Sequence, residues 1–318
     1  MTKKAYRVRN WKDYNEALVK RGSLTFWLDE KCLNQWKSEK RSCGRGRPEE
    51  YSNLAIQTGL TLKALFKLTF RATEGFIKSF LEMLKITIKA PDYSLLCKRQ
   101  KNIKVDLPKK AACGESLHLA FDTTGLKVYG EGEWKVRQHG WIKHRLWRKF
   151  HIAVNTANHQ IEAFELTDLG VQDCEGVSLL LDQIGKPIAS GRGDGAYDRF
   201  SCYEEAERKK FRLITPPQRN SKLSSERKKY NRKISAEVLK KRDAEIKKVR
   251  ELGRKEWKIQ ADYHKRSLAE TAMFRVKTLL GNRLSTRTLE HQKIEVAIWS
   301  QIINKMTMLE MPKSEAIN

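Results

Sequence analysis

Residues 117–130 read LHLAFDTTGLKVYG, and they predict the β-strand around which the rest of the fold is arranged. Leu117, Leu119 and Phe121 alternate with other residues, which is the period-two pattern of a strand with one buried face. Asp122 follows this apolar part directly, at the predicted end of the strand. Because an uncompensated buried carboxylate is costly, Asp122 should lie at a polar end or beside a compensating partner.

The segments that follow this strand predict an α/β domain. Hydrophobic periodicity, with breaks at Gly and Pro, indicates two more strands, then alternating helices and strands, then a long final helix. In chain order these segments are RKFHIAVN (148–155), QIEAFELTD (160–168), the helix VQDCEGVSLLLDQI (171–184), the strand and turn PIASGRGDGAYD (187–198), the helix SCYEEAERKK (201–210), the strand FRLITPP (211–217) and the helix ADYHKRSLAETAMFRVKTLLG (261–281). This order predicts a mixed sheet with helices on its faces.

The N-terminal part of the chain has a different pattern. Residues 51–86 carry apolar side chains at helical spacing, interrupted at Gly59 and Gly75, which predicts two or three short helices. Their size and rhythm are typical of a helix-turn-helix. A plain helical core that packs against the rest of the chain is an equally good interpretation, since no base-reading side chains can be assigned.

The net charge indicates the class of partner. The chain of 318 residues carries a formal charge of +26, so the expected partner is a polyanion, with nucleic acid the first candidate. Between Arg208 and Lys258 there are 20 Lys or Arg against 6 Asp or Glu, a net charge of +14. This basic segment is either a solvated surface or one that neutralises phosphates, and the overall charge favours the second interpretation.

Composition argues against several classes of protein. No stretch approaches about 18 uninterrupted apolar residues, so no membrane span is expected, and the N-terminus lacks the apolar part of a secretory signal. The six cysteines are scattered without a C-x-x-C pair, which argues against a zinc module. No G-x-x-x-x-G-K-[ST] loop is present, so no ATP-driven cycle is implied. A nucleic-acid binder and a nucleic-acid enzyme both remain.

Three acidic residues could carry chemistry. Asp122 and Asp194 each follow a strand, and open α/β sheets bind their ligands beyond strand ends, so these two side chains can converge. Glu270 lies in the middle of the last predicted helix. Three carboxylates would make an oxygen-rich site for Mg²⁺, and two ions about 4 Å apart can catalyse an in-line phosphoryl displacement. A two-carboxylate glycosidase is the formal alternative, but it does not explain the positive charge.

Polar side chains share one face of that last helix. At about 100° per residue, a ~60° arc contains Tyr263, Arg266, Glu270 and Lys277. A stripe that combines Tyr, Arg, Glu and Lys is not a hydrophobic seam. An exposed, salt-bridged face is one interpretation of it, because Arg266 and Glu270 are spaced i,i+4.

Lys149 and His151 form a second polar pair. Alternation places both side chains on one face of the strand at residues 148–155. The pattern favours a structural or DNA-contacting role for them over catalysis. The histidines of the chain show no metal-binding spacing.

The four polar residues of the helix face, spaced Y-x2-R-x3-E-x6-K, resemble the signature of the IS4/IS5-type bacterial insertion-sequence transposases. FDTTGLKVYGEGEWKVRQHG around Asp122, WRKFHIAVN, and GDGAYD around Asp194 resemble the IS5 family and its IS903-like group. RPEEYSNLAIQTGLTLKALFKLTFR resembles the N-terminal part of the same proteins. The similarity covers roughly residues 45–310.

This resemblance implies an RNase H-like catalytic core with Asp122, Asp194 and Glu270 as its DDE triad. Asp122 would bridge two Mg²⁺ ions, for which Mn²⁺ would substitute, and each of the other two acids would complete one ion. The remaining residues of the helix-face signature would support the site or contact the terminal DNA; they are Tyr263, Arg266 and Lys277.

The pattern and the resemblance together predict the domains and partners. Residues 1–110 would form a mainly helical, DNA-binding region, 111–310 the catalytic domain with a basic insertion at about 216–258, and 311–318 a tail. The partners would be the terminal inverted repeats of an insertion sequence and target DNA, bound by a homodimer or a higher oligomer. The expected location is the bacterial cytoplasm, at the nucleoid, with no membrane partner.

Two alternatives share this predicted fold. A catalytically inactive, domesticated transposase could act as a DNA-binding regulator, although all three acids are present. A nuclease on the same fold would hydrolyse DNA but would not join it. The full transposase would do both, by freeing a 3′-OH end and transferring it to target DNA.

Overall fold

The computed structural model describes residues 5–38, 49–108, 116–128, 147–226 and 234–317. The chain divides into two compact units. We call Met1–Lys110 together with Thr288–Asn318 the helical unit, and Ala111–Arg287 the sheet unit. None of the described helices is long and apolar enough to cross a membrane.

The strands and helices between Leu117 and Ile214 follow one another in the order that the hydrophobic pattern predicts. In chain order they are β1 (Ala5–Val8), α1 (Trp11–Arg21), α2 (Leu24–Trp27), α3 (Glu30–Asn34), α4 (Asn53–Leu65), α5 (Phe70–Met83), α6 (Tyr93–Gln100), β2 (Leu117–Val128), β3 (Trp147–Asn155), β4 (Ile161–Asp168), α7 (Asp173–Asp182), β5 (Ile188–Arg192), α8 (Phe200–Arg208), β6 (Arg212–Ile214), α9 (Ala236–Gln260), α10 (Ser267–Leu279), β7 (Arg283–Leu284), α11 (Leu289–Leu309) and β8 (Ser314–Ile317). Short 3₁₀ turns are found at Gly195–Tyr197, Ser224–Glu226 and Tyr263–Arg266.

The helical unit is built on helices that have capped ends and buried faces. The Ser52 and Thr69 side chains accept hydrogen bonds from the first-turn backbone N–H groups of α4 and α5, which satisfies donors that a helix leaves unpaired. Most residues of α4 between Ala55 and Leu62 are buried, so α4 lies in the core of this unit. DNA recognition by these helices stays a prediction.

The C-terminal end of the chain belongs to the helical unit, which differs from the predicted boundaries. The sequence pattern assigns residues up to 310 to the catalytic domain and 311–318 to a tail. Instead, α11 packs on α4, and Gln100 Nε2 donates to the carbonyl oxygen of His291 at 2.9 Å. β8 pairs antiparallel with β1. The physical reason is that α11 is buried on several faces and needs other helices to cover them.

The sheet unit contains a six-stranded mixed sheet in the order β4-β3-β2-β5-β6, with β7 beside the C-terminal end of β2. β3 is antiparallel to both of its neighbours, β2 and β4, whereas β5 and β6 run parallel to β2. Helices α7 and α8 cover one face of this sheet, and α10 packs against β2 and β3. The predicted architecture, a mixed sheet flanked by helices and preceded by an α-helical N-terminal region, is confirmed.

The core of the sheet unit decides which way the first acidic residue points. Leu117, Leu119 and Phe121 are buried in a cluster with residues of α7 and α8. Because successive side chains of a strand point to opposite faces, Asp122 lies on the other face, where α10 packs. The alternation that predicts the strand therefore also orients the carboxylate.

Candidate active site

Strand register places Asp122 and Asp194 at the same level of the sheet. Asp122 lies within β2 and not at its end as predicted, because β3 pairs with β2 as far as Lys127. The parallel neighbour β5 is shorter and ends at Arg192, opposite Ala120. Asp122 and Asp194 come two residues further along each chain, and neighbouring strands lie about 4.8 Å apart. Both acids therefore follow the last paired residues of β2 and β5, Asp122 still within β2 and Asp194 in the turn beyond β5.

The backbone after β5 is tightly held around Asp194. Asp194 begins the 3₁₀ turn at Gly195–Tyr197, and its Oδ1 accepts a hydrogen bond from the backbone N–H of Ala196 at 2.8 Å. The hydroxyl of Thr215 donates to the Asp194 carbonyl at 2.5 Å. A Cβ on Gly193 would lie 2.6 Å from the Tyr197 ring, so this glycine is needed for close approach.

Glu270 is presented by α10 on the same side of the sheet. The sequence pattern predicts one continuous helix from residue 261, but residues Tyr263–Arg266 form a 3₁₀ turn and α10 begins at Ser267. The ion pair that the spacing suggested is present, because Arg266 Nη2 donates to Glu270 Oε1 at 2.5 Å. The Arg266 side chain is 18% exposed and that of Glu270 is 51% exposed.

The charged groups of these elements act on one another. Burial raises the pKa of Asp122 above its usual range. The Thr123 backbone N–H and the Arg266 cation oppose this rise in pKa, whereas the Glu270 and Asp194 carboxylates add to it. Burial would lower the pKa of Arg266, but its hydrogen bond to Glu270 and the nearby negative charges raise it overall. The three acids and Arg266 therefore lie within electrostatic reach of each other.

The donor chemistry of this site fits a divalent cation. Carboxylates supply only oxygen, which Mg²⁺ and Mn²⁺ prefer, and a cation would relieve the repulsion that Asp122 experiences from its neighbours. Among the described residues, however, no three His, Cys, Asp or Glu side chains are close enough together to hold one ion. In this arrangement the Glu270 carboxylate is bound by Arg266 instead.

Family comparison covers most of the chain. A model described as a transposase DDE domain matches residues 114–304, more than half of the sequence. The chain belongs to the DDE transposase family. A second model with the same description matches residues 19–131. The chain is also similar to a solved structure, the cryo-EM structure of the piggyBac transposase synaptic complex with hairpin DNA, with 11% identity, coverage of 96% of this chain and 78% of that chain, and a TM-score of 0.39.

Tyr263, the first residue of the helix-face signature, packs against Trp257 and Arg266 in this transposase. Its ring is buried, with a centroid 5.7 Å from that of Trp257, and the Arg266 guanidinium carbon lies 5.7 Å from the Tyr263 centroid. Burial raises the pKa of Tyr263, the Arg266 cation opposes this, and Asp194 and Glu270 raise the pKa further. Lys277, the last residue of the signature, is exposed on α10.

Lys149 and His151 lie on the opposite face of the sheet from Asp122. Lys149 Nζ donates to the Val171 carbonyl at 2.8 Å and to Asp173 Oδ1 at 3.1 Å, which ties it to the start of α7. His151 is 1% exposed, so it does not reach DNA. Of the two predicted roles for His151, the structure contradicts the DNA contact and agrees with the structural one.

His151 belongs to a buried polar network. Its Nδ1 is hydrogen-bonded to Thr123 Oγ1 at 2.9 Å and its Nε2 to Thr167 Oγ1 at 2.8 Å. Thr123 Oγ1 is also 3.2 Å from the hydroxyl of Tyr197, the last residue of the 3₁₀ turn. A neutral imidazole has one donor and one acceptor, and hydroxyls can serve either, so the network needs no charge.

Acidification should destabilise the transposase through His151. Burial lowers its pKa from 6.5 to about 4, so the unfolded chain binds this proton first as the pH falls. The stability that neutral His151 provides is complete above pH 6.5 and is lost towards pH 4, by up to about 3 kcal/mol. The free energy of unfolding, measured with urea at several pH values, should depend less steeply on pH in His151→Gln than in the wild type. His264→Gln, at an exposed histidine, should keep the wild-type dependence, and equal curves for all three proteins would contradict the assignment.

Asp198 and Arg242 form a buried ion pair that the sequence pattern does not reveal. Arg242 Nε and Nη2 donate to the two carboxylate oxygens of Asp198 at 2.8 and 2.9 Å. The Gln218 backbone N–H and the Ser221 hydroxyl also donate to Asp198, each at 3.1 Å. The sequence signal for this pair was the second Asp of GDGAYD, which is Asp198. Its partner could not be predicted, because Arg242 lies 44 residues away. The pair joins the Asp194 turn to α9 of the basic insertion.

The insertion also contacts Tyr263, through the ring of Trp257. Trp257 Nε1 donates to Glu245 Oε2 at 2.9 Å across 12 residues, which would span about 18 Å in a straight helix. α9 is bent at Gly253, whose φ of 77° suits glycine, so its second half folds back. The described part of the insertion therefore packs on two elements of the candidate active site.

Proposed function

We propose that this chain is an IS5-like DDE transposase that binds terminal inverted repeats, hydrolyses a phosphodiester to free a 3′-OH end, and joins that end to target DNA. The observation that carries the proposal is the register of β2 and β5, because Ala120 pairs with Arg192 and each acid follows two residues later on its own chain segment. Glu270 adds a third carboxylate from α10, within electrostatic reach of Asp122. Membership of the DDE transposase family supports this reading of the three acids.

Asp122, Asp194 and Glu270 would hold the Mg²⁺ ions, for which Mn²⁺ would substitute. When bound, the ions activate the attacking oxygen and stabilise the leaving oxygen of an in-line displacement. Asp122 is held within β2 by its pairing with β3, and Asp194 by the turn that follows β5. The Arg266 guanidinium pairs with the Glu270 carboxylate and so keeps a cation beside the carboxylates.

The basic segment would hold the DNA backbone. α9 carries exposed lysines, among them Lys240, Lys247 and Lys255, and such cations bind phosphates without reading sequence. Arg266 and Lys277 would contact the terminal DNA beside the carboxylates, and Tyr263 would support Arg266. Recognition of two DNA ends would require a homodimer or a higher oligomer, working at the nucleoid in the bacterial cytoplasm.

The purified chain should both cut and join DNA. Incubation with labelled duplex that carries the ends of the element, plus Mg²⁺ or Mn²⁺ and a target plasmid, should yield a nicked end and a strand-transfer product, since both steps are in-line displacements at one site. Gel analysis scores the two products separately. Binding without cleavage would instead indicate a regulator, and cleavage without joining would indicate a nuclease.

A further inference from the structure

Arg192 is a buried cation that connects two parts of the candidate active site. It is the last residue of β5, two residues before Asp194, and its side chain is 5% exposed. Its Nε donates to the backbone carbonyl of Asp262 at 2.9 Å, and its Nη2 donates to Asp262 Oδ2 at 3.3 Å. Its Nη1 donates to Ser190 Oγ at 2.9 Å. The guanidinium is thus bound on one side by its own strand and on the other by Asp262.

Asp262 lies at the junction between the insertion and the helix that presents Glu270. It follows the end of α9 and directly precedes the 3₁₀ turn at Tyr263–Arg266. Its φ of 50° and ψ of 36° are left-handed, a conformation that non-glycine residues keep only where their surroundings hold it. Arg192 binds the carbonyl of this residue, so it fixes the point at which the chain turns towards α10.

A buried arginine contributes little net stability to a fold. Taking a cation out of water is costly, and apolar residues of similar volume often stabilise a core as well or better. What the planar guanidinium provides is directional donation to several acceptors at once. The contact therefore specifies a geometry between β5 and the start of α10.

We propose that Arg192 is a positioning residue, which sets Glu270 at the correct place relative to Asp194 by holding Asp262. The proposal rests on the proposed function, because it assigns those two acids to one site. It predicts that weakening the contact impairs the metal site and the chemical step while DNA binding persists.

Arg192→Lys tests this inference, since lysine keeps the charge but cannot serve the same acceptors together. The rate constant kcat for end cleavage should fall about tenfold or more, because small misplacements near reacting groups have large effects. The KM for end DNA should stay within about twofold. Half-saturation by Mn²⁺, measured without DNA by electron paramagnetic resonance, should need about tenfold more ion. The thermal midpoint should remain near that of the wild type.

Hydrogen exchange provides a readout that needs neither metal nor DNA. Amides of residues 262–267 should exchange at least about tenfold faster in Arg192→Lys, whereas amides of β2 and β3 should not change. Arg208→Lys is the matched control, because Arg208 makes the same kind of ion pair at an exposed position of α8, with Glu205 and Asp182. A folded Arg192→Lys protein with unchanged kcat, Mn²⁺ binding and exchange would overturn the proposal.

A second variant decides the matter if Arg192→Lys does not fold. Asp262→Asn keeps the backbone carbonyl and a side chain that tolerates left-handed φ, but it loses the carboxylate that Arg192 binds. Faster exchange at residues 263–267 is expected in Asp262→Asn but not in Lys265→Gln, which removes the exposed partner of Asp262. Equally fast exchange at residues 263–267 in Asp262→Asn and Lys265→Gln would overturn the proposal. If the wild type cuts no DNA, the proposed function fails, and the exchange measurement still tests Arg192.

Discussion

Asp122→Asn is expected to lower the rate of DNA cleavage by about a thousandfold or more, because the bound ions supply several kcal/mol of transition-state stabilisation and asparagine is a poor substitute ligand. The change should not unfold the protein. Burial and two neighbouring carboxylates raise the pKa of Asp122, which means that its negative charge is unfavourable in the folded state at neutral pH. The thermal midpoint should therefore equal or exceed that of the wild type.

Cleavage of labelled end DNA in Mg²⁺, measured beside a binding assay, checks this result. Asp194→Asn and Glu270→Gln should show the same loss of cleavage with largely preserved binding. Asp182→Asn is a suitable control, because Asp182 is an exposed acid of α7 that pairs with Arg208 away from the triad. Any one of the three variants that retained full cleavage would remove its residue from the proposed triad.

Arg242→Met should be the most destabilising change in the insertion. It would leave Asp198, whose side chain is fully buried, without the cation that binds both of its oxygens. Removing one partner of a buried ion pair typically costs about 3–5 kcal/mol, since the remaining charge is uncompensated. Urea unfolding, followed by tryptophan fluorescence, measures the loss. Cleavage should also fall, because Asp198 lies in the turn that follows Asp194.

The chain offers a matched control on the same helix. Arg250 pairs with Glu226 at the surface, so Arg250→Met should change the free energy of unfolding little. Adding Asp198→Asn to Arg242→Met should recover part of the lost stability, because the unpaired charge is removed. Equal losses for Arg242→Met and Arg250→Met would show that the buried pair is not important for stability.

The candidate site could be predicted largely because its residues follow local patterns. The alternation of Leu117, Leu119 and Phe121 predicted the strand, although Asp122 lies within it and not at its end as predicted. The short strand before Asp194 and the helix that contains Glu270 were also local signals. The mixed sheet followed from the order of such segments along the chain.

Other features could not be predicted from local patterns. Lys149 and His151 were assigned to one strand face correctly, but that face packs on α7 and not on DNA. The helix before Glu270 was expected to be continuous, whereas Asp262 and a 3₁₀ turn break it. The helix α11 was not predicted, and local periodicity does not reveal which of the two units it belongs to.

The sequence by itself determined most strands and helices of residues 117–217, the excess of positive charge and the three candidate acids. Only the tertiary structure decided that Ala120 pairs with Arg192, which sets where Asp122 and Asp194 follow on the two neighbouring strands. It also decided that Arg192 binds Asp262 and that Arg242 binds Asp198. The physical reason is that periodicity reports local geometry and burial, whereas strand register and buried polar partners depend on contacts between residues far apart in the chain.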